Sequence, residues 1–272
     1  MKTRMRKCLV TLLMLMLFGV SASAQCTYKN TAFKGGESLT YNLYYNWKFV
    51  WVKAGSASMH TVQSTYNGKE AFRASLTTRG NNKVDEMFVL RDTLLCYSTT
   101  DMVPLYFRKG AREGKRYTVD EVWYDYKDGK VNLRQRRMHK DGTSKTITNT
   151  ANDCVYDMLN IFLRARSFNP EGWQKGHVVK IPIADGNSID EAILKYRGKS
   201  TIKGDNGYKY RCLELSYMEM EKGKYKEVVR FYVTDDSNHI PVRLDLFLRF
   251  GSAKAFVTNI KGNRNAIEAI VK

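Results

Sequence analysis

One short stretch of this sequence has the spacing of a serine acyl-enzyme site. Ser200-Thr201-Ile202-Lys203 matches the pattern S-x-x-K, in which the lysine must lie one helical turn from the nucleophilic serine. The surrounding residues read as strand or turn, and on a strand the residues i and i+3 point to opposite faces. The accompanying patterns S-D-N and K-T-G do not occur in the sequence. We therefore expect no acyl-enzyme chemistry here.

A second polar stretch, at residues 235–239, offers ligands for a cation. It contains two aspartates, an asparagine and a histidine, and Ca²⁺ and Mg²⁺ prefer oxygen ligands of this kind. The same residue types also satisfy the backbone of a tight turn with their own side chains. We interpret the stretch as a turn, and we predict neither a metal site nor a cofactor.

Three acidic residues, Asp120, Glu121 and Asp125, lie along one predicted strand. A carboxylate pair for glycoside hydrolysis needs a separation of about 5–10 Å and a cleft, and no feature of the sequence indicates a cleft. Salt bridges to arginines of the next strand are the simpler interpretation. The sequence contains no specific catalytic motif, and it favours a non-enzymatic role.

Basic residues are concentrated around these acids. Residues 108–145 contain twelve Lys/Arg and six Asp/Glu, so the net charge of this stretch is 12 − 6 = +6. The predicted strand 131–139 has basic residues on both faces and cannot be buried on both sides. It is either a solvated edge strand that resists aggregation or part of a basic hairpin that binds an anionic surface. The residues that would bind such a surface are Arg134, Arg136, Arg137 and Lys140.

The first 24 residues have the pattern of an export signal. Four basic residues precede an apolar run from Leu9 to Val20, and Ala22-Ser23-Ala24 is a cleavage site of small residues. We predict a signal peptide at 1–24 and one exported β-rich domain at 25–272, located in the periplasm. No later apolar stretch approaches the ~20 residues that a transmembrane helix needs. We therefore expect no transmembrane segment in the mature chain.

Cys26, Cys96, Cys154 and Cys212 remain after cleavage. Four cysteines in an oxidising compartment allow three pairings for two bridges, and the sequence does not choose among them. Cys96 and Cys212 lie in apolar strand patterns, where a small buried side chain is as good an interpretation as a bridge. Lipidation of Cys26 is the alternative role for that residue, but the bulky Gln25 before it is unlike a lipidation signal.

The mature chain is strongly basic. Removal of four positive charges with the signal leaves a net charge of 18 − 4 = +14. In an exported protein the counterparts of such a charge are anionic lipids, acidic glycans and cell-wall polymers, whereas nucleic acid is absent from that compartment. A like-charged surface that merely resists association is the equally weighted alternative.

Alternation with a period of two residues dominates the mature chain. The side chains of Leu39, Tyr41, Leu43, Tyr45 and Trp47 fall on one face of a strand, which indicates that one face is buried. Two later turns contain Asp-Gly, a strong hairpin signal. Strands are predicted at 49–63, 70–79, 117–126, 131–139, 143–150, 177–184, 190–197, 208–219, 225–234, 241–250 and 253–261.

One segment has helical spacing instead. Apolar residues recur every three or four positions within 153–166, and Asp153 is a plausible N-cap. A shorter helical turn is predicted near 83–89. A single apolar-faced helix among about a dozen strands must be buried against the sheet. The predicted fold is therefore all-β, a large curved antiparallel sheet that forms a half-open barrel over one amphipathic helix, with a plain sandwich as the alternative.

Several short motifs follow one another along the mature chain. They lie at Gly36–Tyr41, Trp51–Gly55, Arg91–Leu94, Asp157–Arg164, Asp235–Val242 and Gly251-Ser252. In order and spacing they resemble the bacterial exported-protein family known as domain of unknown function 3108. The resemblance implies a YmcC-like curved antiparallel sheet of the kind seen in small envelope lipoproteins, and it supplies no catalytic residues.

Separately, Asp92-Thr93-Leu94 resembles a tripeptide that some Gram-negative gut bacteria O-glycosylate on exported proteins.

These features favour a non-enzymatic binding or carrier protein of the cell envelope. The helix residues Met158, Phe162 and Leu163 are expected to face the concave side of the sheet, where Tyr41, Tyr45 and Trp47 form the opposing wall. The expected ligand is amphiphilic and anionic, such as a lipid or glycolipid. The alternative is an assembly or scaffolding factor that docks through the basic hairpin on anionic polymers or on a partner protein, and a hydrolase ranks third.

Overall fold

The computed structural model describes residues 26–47, 50–86, 89–248 and 251–271. The predicted signal peptide and its cleavage site lie outside these residues. Fifteen strands and two helices occur in the described part of the chain. The strands are β1 (Glu37–Trp47), β2 (Val50–Tyr66), β3 (Lys69–Gly80), β4 (Leu90–Thr99), β5 (Pro104–Glu113), β6 (Arg116–Lys127), β7 (Lys130–His139), β8 (Ser144–Ala151), β9 (Val178–Asp185), β10 (Ser188–Lys203), β11 (Lys209–Glu221), β12 (Lys224–Thr234), β13 (Pro241–Phe247), β14 (Ser252–Lys261) and β15 (Ile270–Val271). The helices are α1 (Asn82–Asp85) and α2 (Met158–Ala165).

All fifteen strands belong to one antiparallel sheet. Its order is β8-β7-β6-β5-β4-β3-β2-β1-β14-β13-β12-β11-β10-β9, and β15 pairs with β11. β1 lies beside β14. The first strand of the domain is therefore hydrogen-bonded directly to a strand near the end of the chain. The terminal strands β8 and β9 are not paired with each other, and the sheet is therefore a barrel that stays open along one side. This confirms the predicted half-open antiparallel barrel.

The barrel has two different ends. Because neighbouring strands are antiparallel, the hairpins β1–β2, β3–β4, β5–β6, β7–β8, β9–β10, β11–β12 and β13–β14 all turn at the same end, which we call the rim. The opposite, closed end is filled by large side chains that solvent does not reach. These include Phe33, Leu39, Met102, Tyr210 and Ile240. The main core of the protein therefore lies at the closed end.

Helix α2 begins later than its apolar spacing predicts. Its N-cap is Asp157, whose carboxylate accepts hydrogen bonds from the backbone N–H groups of Leu159 and Asn160. The predicted cap Asp153 lies outside the helix, because the preceding segment is extended and Tyr156 forms a parallel bridge with Ile183 of β9. The helix is thus only eight residues long, and the segment before it partly covers the free edge of β9.

Two features of the sheet were predicted wrongly or missed. Strand 131–139 is not an edge, because β7 lies between β6 and β8 and its alternate side chains Val131, Leu133 and Gln135 are buried. The edge is β8. No bounds were predicted for β4, although Cys96 was placed in a strand pattern, and β5 was not predicted. The strand predicted at 241–250 corresponds to β13, which ends at Phe247.

One disulfide joins the N-terminal segment to the segment before α2. Cys26 and Cys154 are bonded, with their Cα atoms 5.5 Å apart and 128 positions apart in sequence. Closing a loop of more than roughly 100 residues contributes about 4–5 kcal/mol in the chain-entropy model. Cys96 and Cys212 are free and buried. Since the Cys26 sulfur is bonded to Cys154, this arrangement leaves no Cys26 thiol for a lipid.

Neither helix in the described ranges is long and apolar enough to cross a membrane.

Candidate ligand cavity

A cavity of about 320 Å³ lies between α2 and the concave face of the sheet. This is within the size range of small-molecule sites in proteins. Its lining is almost wholly apolar. One wall comes from β1 to β4 and includes Tyr41, Leu43, Ala57, Met59, Leu76 and Leu94. The opposite wall comes from β9 to β14 and includes Ile181, Leu194, Leu215, Val229, Phe231 and Leu244.

Period-two alternation explains why these residues meet. Each lining strand directs every second side chain to the concave face, as with Leu213 and Leu215 on β11 or Leu244 and Leu246 on β13. The sheet curls, so two sets of inward side chains face each other across the space. Some wall positions are small, such as Ala57 and Ala255. The inward face is therefore not filled by its own side chains near the rim.

Helix α2 forms the floor of the cavity. Met158, Leu159, Ile161, Phe162 and Ala165 line it. The ring of Phe162 lies 5.5 Å, centroid to centroid, from the ring of Phe231 on β12. Met158, at the start of the helix, is 36% exposed although it lines the cavity. Solvent therefore reaches the cavity beside Met158.

The predicted cavity residues are only partly brought together. Tyr41, Met158 and Phe162 line the cavity. Leu163 does not, because the helix turns its side chain into the closed-end core, where its exposure is 0%. Tyr45 also lies outside the lining, and the side chain of Trp47 is outside the described structure. The structure therefore does not bring Leu163 and Tyr45 together with Tyr41, Met158 and Phe162.

Tyr41 contributes a ring rather than a reactive hydroxyl. Its phenol donates a hydrogen bond to the carbonyl oxygen of Pro241 at 3.0 Å. Burial raises the pKa of Tyr41 well above its usual value, partly offset by Arg166. The phenol therefore stays protonated at any physiological pH.

The cationic group at the cavity already has a partner. Arg166 lines the cavity and donates to both carboxylate oxygens of Glu37, at 2.5 and 2.9 Å. It also donates to the carbonyl oxygen of Asn238. Its charge is thus fully compensated within the protein. Nearby His239 contacts the carbonyl oxygen of Arg166 through Nδ1, and burial lowers the pKa of His239, which favours the neutral ring.

Among the described residues that line the cavity, one is a carboxylic acid. Glu219 lies at the end of β11 among the lining residues. Partial desolvation and the carboxylates of Asp185 and Asp190 raise the pKa of Glu219, while a hydrogen bond with Tyr217 opposes that rise. On the other wall, the hydroxyl oxygen of Thr78 is buried without a hydrogen-bond partner in the protein. Polar contacts within the cavity are therefore few.

The candidate catalytic stretches do not form a site. Ser200 and Lys203 lie on β10 opposite Cys212 and Lys209 of β11, and alternation sends their side chains to opposite faces. In the 235–239 stretch, Asp236 accepts from the backbone N–H of Asn238 at 3.0 Å, as in a tight turn. Among the described residues, no group of histidine, cysteine or acidic side chains could hold a metal ion.

The basic hairpin is partly neutralised by its neighbour strand. Arg137 donates to Asp120 at 2.6 Å, and Arg136 forms an ion pair with Glu121. The salt bridges predicted for Asp120 and Glu121 are therefore present. The guanidinium of Arg134 lies 4.0 Å from the centroid of the Trp123 ring. Lys140 is exposed in the turn between β7 and β8.

A family model for a protein of unknown function, DUF3108, matches residues 40–258. The chain belongs to this family. The match includes every strand from β2 to β13 and helix α2. A comparison with curated protein sequences finds no match.

Solved structures similar to this DUF3108 protein share little sequence with it. A β-barrel-like DUF1849 protein from Brucella abortus has a TM-score of 0.54 and 10% identity, covering 85% of this chain and 98% of its own. It supports the barrel-like fold alone. A candidate exported protein with a YmcC-like fold from Bacteroides fragilis has a TM-score of 0.36 and 11% identity over 87% and 100% of the two chains. A candidate lipoprotein from Parabacteroides distasonis has a TM-score of 0.33 and 9% identity over 87% and 100%. The last two TM-scores are too low for a structural argument.

Sequence reasoning missed most of the cavity wall of the DUF3108 protein. Leu194, Leu215, Phe231 and Leu244 all lie in strands that were predicted correctly. Their alternation identifies them as inward-facing. What alternation cannot show is which inward side chains leave a space between them, because that depends on the curvature of the sheet and on the position of α2.

Proposed function

We propose that this protein is a non-enzymatic binding or carrier protein of the periplasm whose ligand is a lipid or glycolipid with an anionic head group. The observation that supports this most is the cavity of about 320 Å³ with its almost wholly apolar lining. An acyl chain that enters such a space gains about 0.8 kcal/mol for each buried methylene. An apolar cavity of this kind does not hold ordered water well.

The anionic character of the ligand is supported by the charge of the chain. The predicted mature chain has a net charge of 18 − 4 = +14. Within the cavity, Arg166 is already paired with Glu37, so the head group would contact basic residues outside the cavity. The export signal at 1–24 supports the periplasmic location.

A scaffold that binds envelope polymers is the second candidate. This second candidate is supported by a row of aromatic rings that crosses the outer face of the sheet. Tyr66, Tyr97, Tyr106 and Trp123 lie 5.1 to 6.4 Å apart, centroid to centroid, and Arg134 lies over Trp123. The pairing of Arg136 and Arg137 with carboxylates weakens the basic-hairpin mode of binding, and we rank this function second for that reason.

Native mass spectrometry of protein purified from its own envelope tests the proposal. We expect a lipid-sized adduct that stays bound in the native spectrum and is released on denaturation. The released molecule would identify the head group directly. A native spectrum that shows only the bare mature chain, from several preparations without detergent, would argue against a carrier and move the scaffold to first place.

A further inference from the structure

Exposed apolar side chains are concentrated at the rim of the barrel. The described chain has eleven large hydrophobic residues that are exposed, and six of them lie on three rim hairpins. They are Val50, Trp51, Val52, Met220, Phe247 and Leu248. Val50 is 61% exposed and Leu248 is 49% exposed. A concentration of exposed apolar side chains of this kind is typical of an interaction surface.

The three hairpins are neighbours. They are β1–β2, β13–β14 and β11–β12, and the strand order β2-β1-β14-β13-β12-β11 places them side by side. We call the exposed residues of these three hairpins the lip. Lys254 of β14 lies over the ring of Trp51 of β2, with Nζ 4.2 Å from the ring centroid. The first two hairpins are therefore also joined by a side-chain contact.

Lysines surround the apolar residues of the lip. Lys53 is exposed on the β1–β2 hairpin and Lys222 and Lys224 on the β11–β12 hairpin, while Lys254 lies on the β13–β14 hairpin. Aromatic rings with adjacent lysines are typical of protein segments that lie at a membrane interface. Each lysine near an anionic bilayer adds about 1 kcal/mol of attraction at moderate salt. The chemistry of the lip therefore fits a bilayer surface, in which negatively charged head groups cover an apolar interior.

The lip is continuous with the cavity wall. Leu246 lines the cavity, and Leu248, two residues further along the chain, is exposed on the lip. Since residues i and i+2 of an extended chain face the same side, Leu246 and Leu248 both lie on the concave side. An acyl chain that leaves a bilayer at Leu248 would therefore meet the cavity wall at Leu246.

We propose that the lip docks on an anionic phospholipid bilayer and orients the cavity toward it. This inference rests on the proposed function for its purpose, but it depends on a separate surface. Insertion of Trp51, Phe247 and Leu248 into the interfacial region supplies the apolar contact, and the surrounding lysines contact the lipid phosphates. Tyr208 is exposed at the closed end, and Val178 is exposed at the start of the edge strand β9, opposite Lys195 in the middle of β10. Neither residue is part of the lip.

Co-sedimentation with vesicles of phosphatidylglycerol and phosphatidylethanolamine tests the inference with the mature chain. The lip variant changes Trp51→Ser, Phe247→Ser and Leu248→Ser, and the matched control changes Tyr208→Ser and Val178→Ser, two exposed positions outside the lip. We expect the vesicle affinity of the lip variant to fall by about tenfold or more, and we expect the control to bind like the wild type. A second variant with Lys53→Gln, Lys224→Gln and Lys254→Gln should also bind more weakly, and wild-type binding should fall as salt is raised.

Two readouts keep the outcomes distinct. Thermal midpoints and uptake of a fluorescent fatty acid in vesicle-free solution are measured for every variant, and both should be unchanged in the lip variant. If the wild type binds vesicles but no fatty acid, the docking of the lip on a bilayer is supported and the carrier function is contradicted. Equal vesicle binding by lip variant and wild type, or no binding by the wild type, overturns the inference. So does a wild-type dimer in solution that the lip variant alone dissociates, since a second copy would then cover the lip.

Discussion

The guanidinium of Arg166 and the carboxylate of Glu37 form a two-point ion pair in which the side chains are 2% and 1% exposed. Arg166 follows the last residue of α2, and Glu37 is the first residue of β1. The pair therefore attaches the helix that floors the cavity to the strand that begins the sheet. Because neither group reaches water, each depends on the other for compensation of its charge.

Loss of one partner should be costly. Arg166→Met or Glu37→Gln alone leaves a buried group without its partner, and we expect each change to lower the free energy of unfolding by about 3–5 kcal/mol. The double variant should lose less than the sum, since no charge is left unpaired. Urea unfolding of the four proteins checks this. Additive losses would show that the pair is not coupled.

Arginines of the basic hairpin should differ in their effect on stability. Asp120 and Glu121 are 5% and 7% exposed, so Arg137→Gln and Arg136→Gln leave nearly buried carboxylates less compensated. We expect each to lower the thermal midpoint measurably. Arg134→Gln is the matched control, because exposed Arg134 only stacks on Trp123, a contact worth about 0.5–1 kcal/mol. Equal midpoints for all three variants would contradict this account.

Asp92 should make the protein less stable as the pH rises. Burial and the carboxylate of Glu113 raise the pKa of Asp92 to about 6, above its value of about 3.9 in an unfolded chain. Its contribution to stability is therefore fully present below about pH 4 and is lost as the pH rises through 6. Asp92→Asn removes this titration and keeps the shape of the side chain.

The measurement is the difference in unfolding free energy between Asp92→Asn and the wild type at several pH values. Between pH 4 and pH 7 we expect the unfolding free energy of the variant to rise by about 1–2 kcal/mol relative to that of the wild type. The effect is smaller than the full pKa shift implies, because solvent screens a half-buried carboxylate. Using a difference cancels the other carboxyl groups. A difference that does not change with pH would show that Asp92 titrates normally.

Thiol counting tests the disulfide and the processing together. The chain after cleavage at Ala24 has four cysteines, of which Cys96 and Cys212 are free. We expect two reactive thiols in denaturant without a reductant and four after reduction, on a chain whose mass begins at Gln25. Cys26→Ser should lose about 2–5 kcal/mol of stability. Three free thiols together with a diacylglycerol mass would instead show that Cys26 is lipidated.

Most of the fold follows from alternation along the chain. Leu39, Tyr41 and Leu43 alternate clearly because one face of β1 is buried, and the Asp-Gly turns mark the β6–β7–β8 meander. β5 was missed because it contains a glycine and several cations that interrupt the pattern. The start of α2 was misplaced because Val155 continues the apolar spacing, whereas the adjacent Tyr156 pairs with Ile183 of β9 and keeps this segment extended.

The site was less predictable than the fold. The apolar spacing of α2 shows that Phe162 and Leu163 are both buried, but not which of them faces the cavity and which faces the core. That choice depends on how the helix is rotated by its attachments, Asp157 with Tyr124 at one end and Arg166 with Glu37 at the other. These are contacts between residues far apart in sequence. The sequence pattern of any one element does not contain them.

Uptake of a fluorescent fatty acid is the most direct test of the claim that the cavity holds an acyl chain. The wild type should bind the probe saturably, and Leu244→Trp and Phe162→Trp, which add volume inside the cavity, should each abolish or strongly reduce uptake. Val178→Trp adds the same ring at an exposed site of the edge strand β9, outside the cavity lining, and should bind like the wild type. A wild type that binds no probe, or cavity variants that bind as well as it does, would contradict the account.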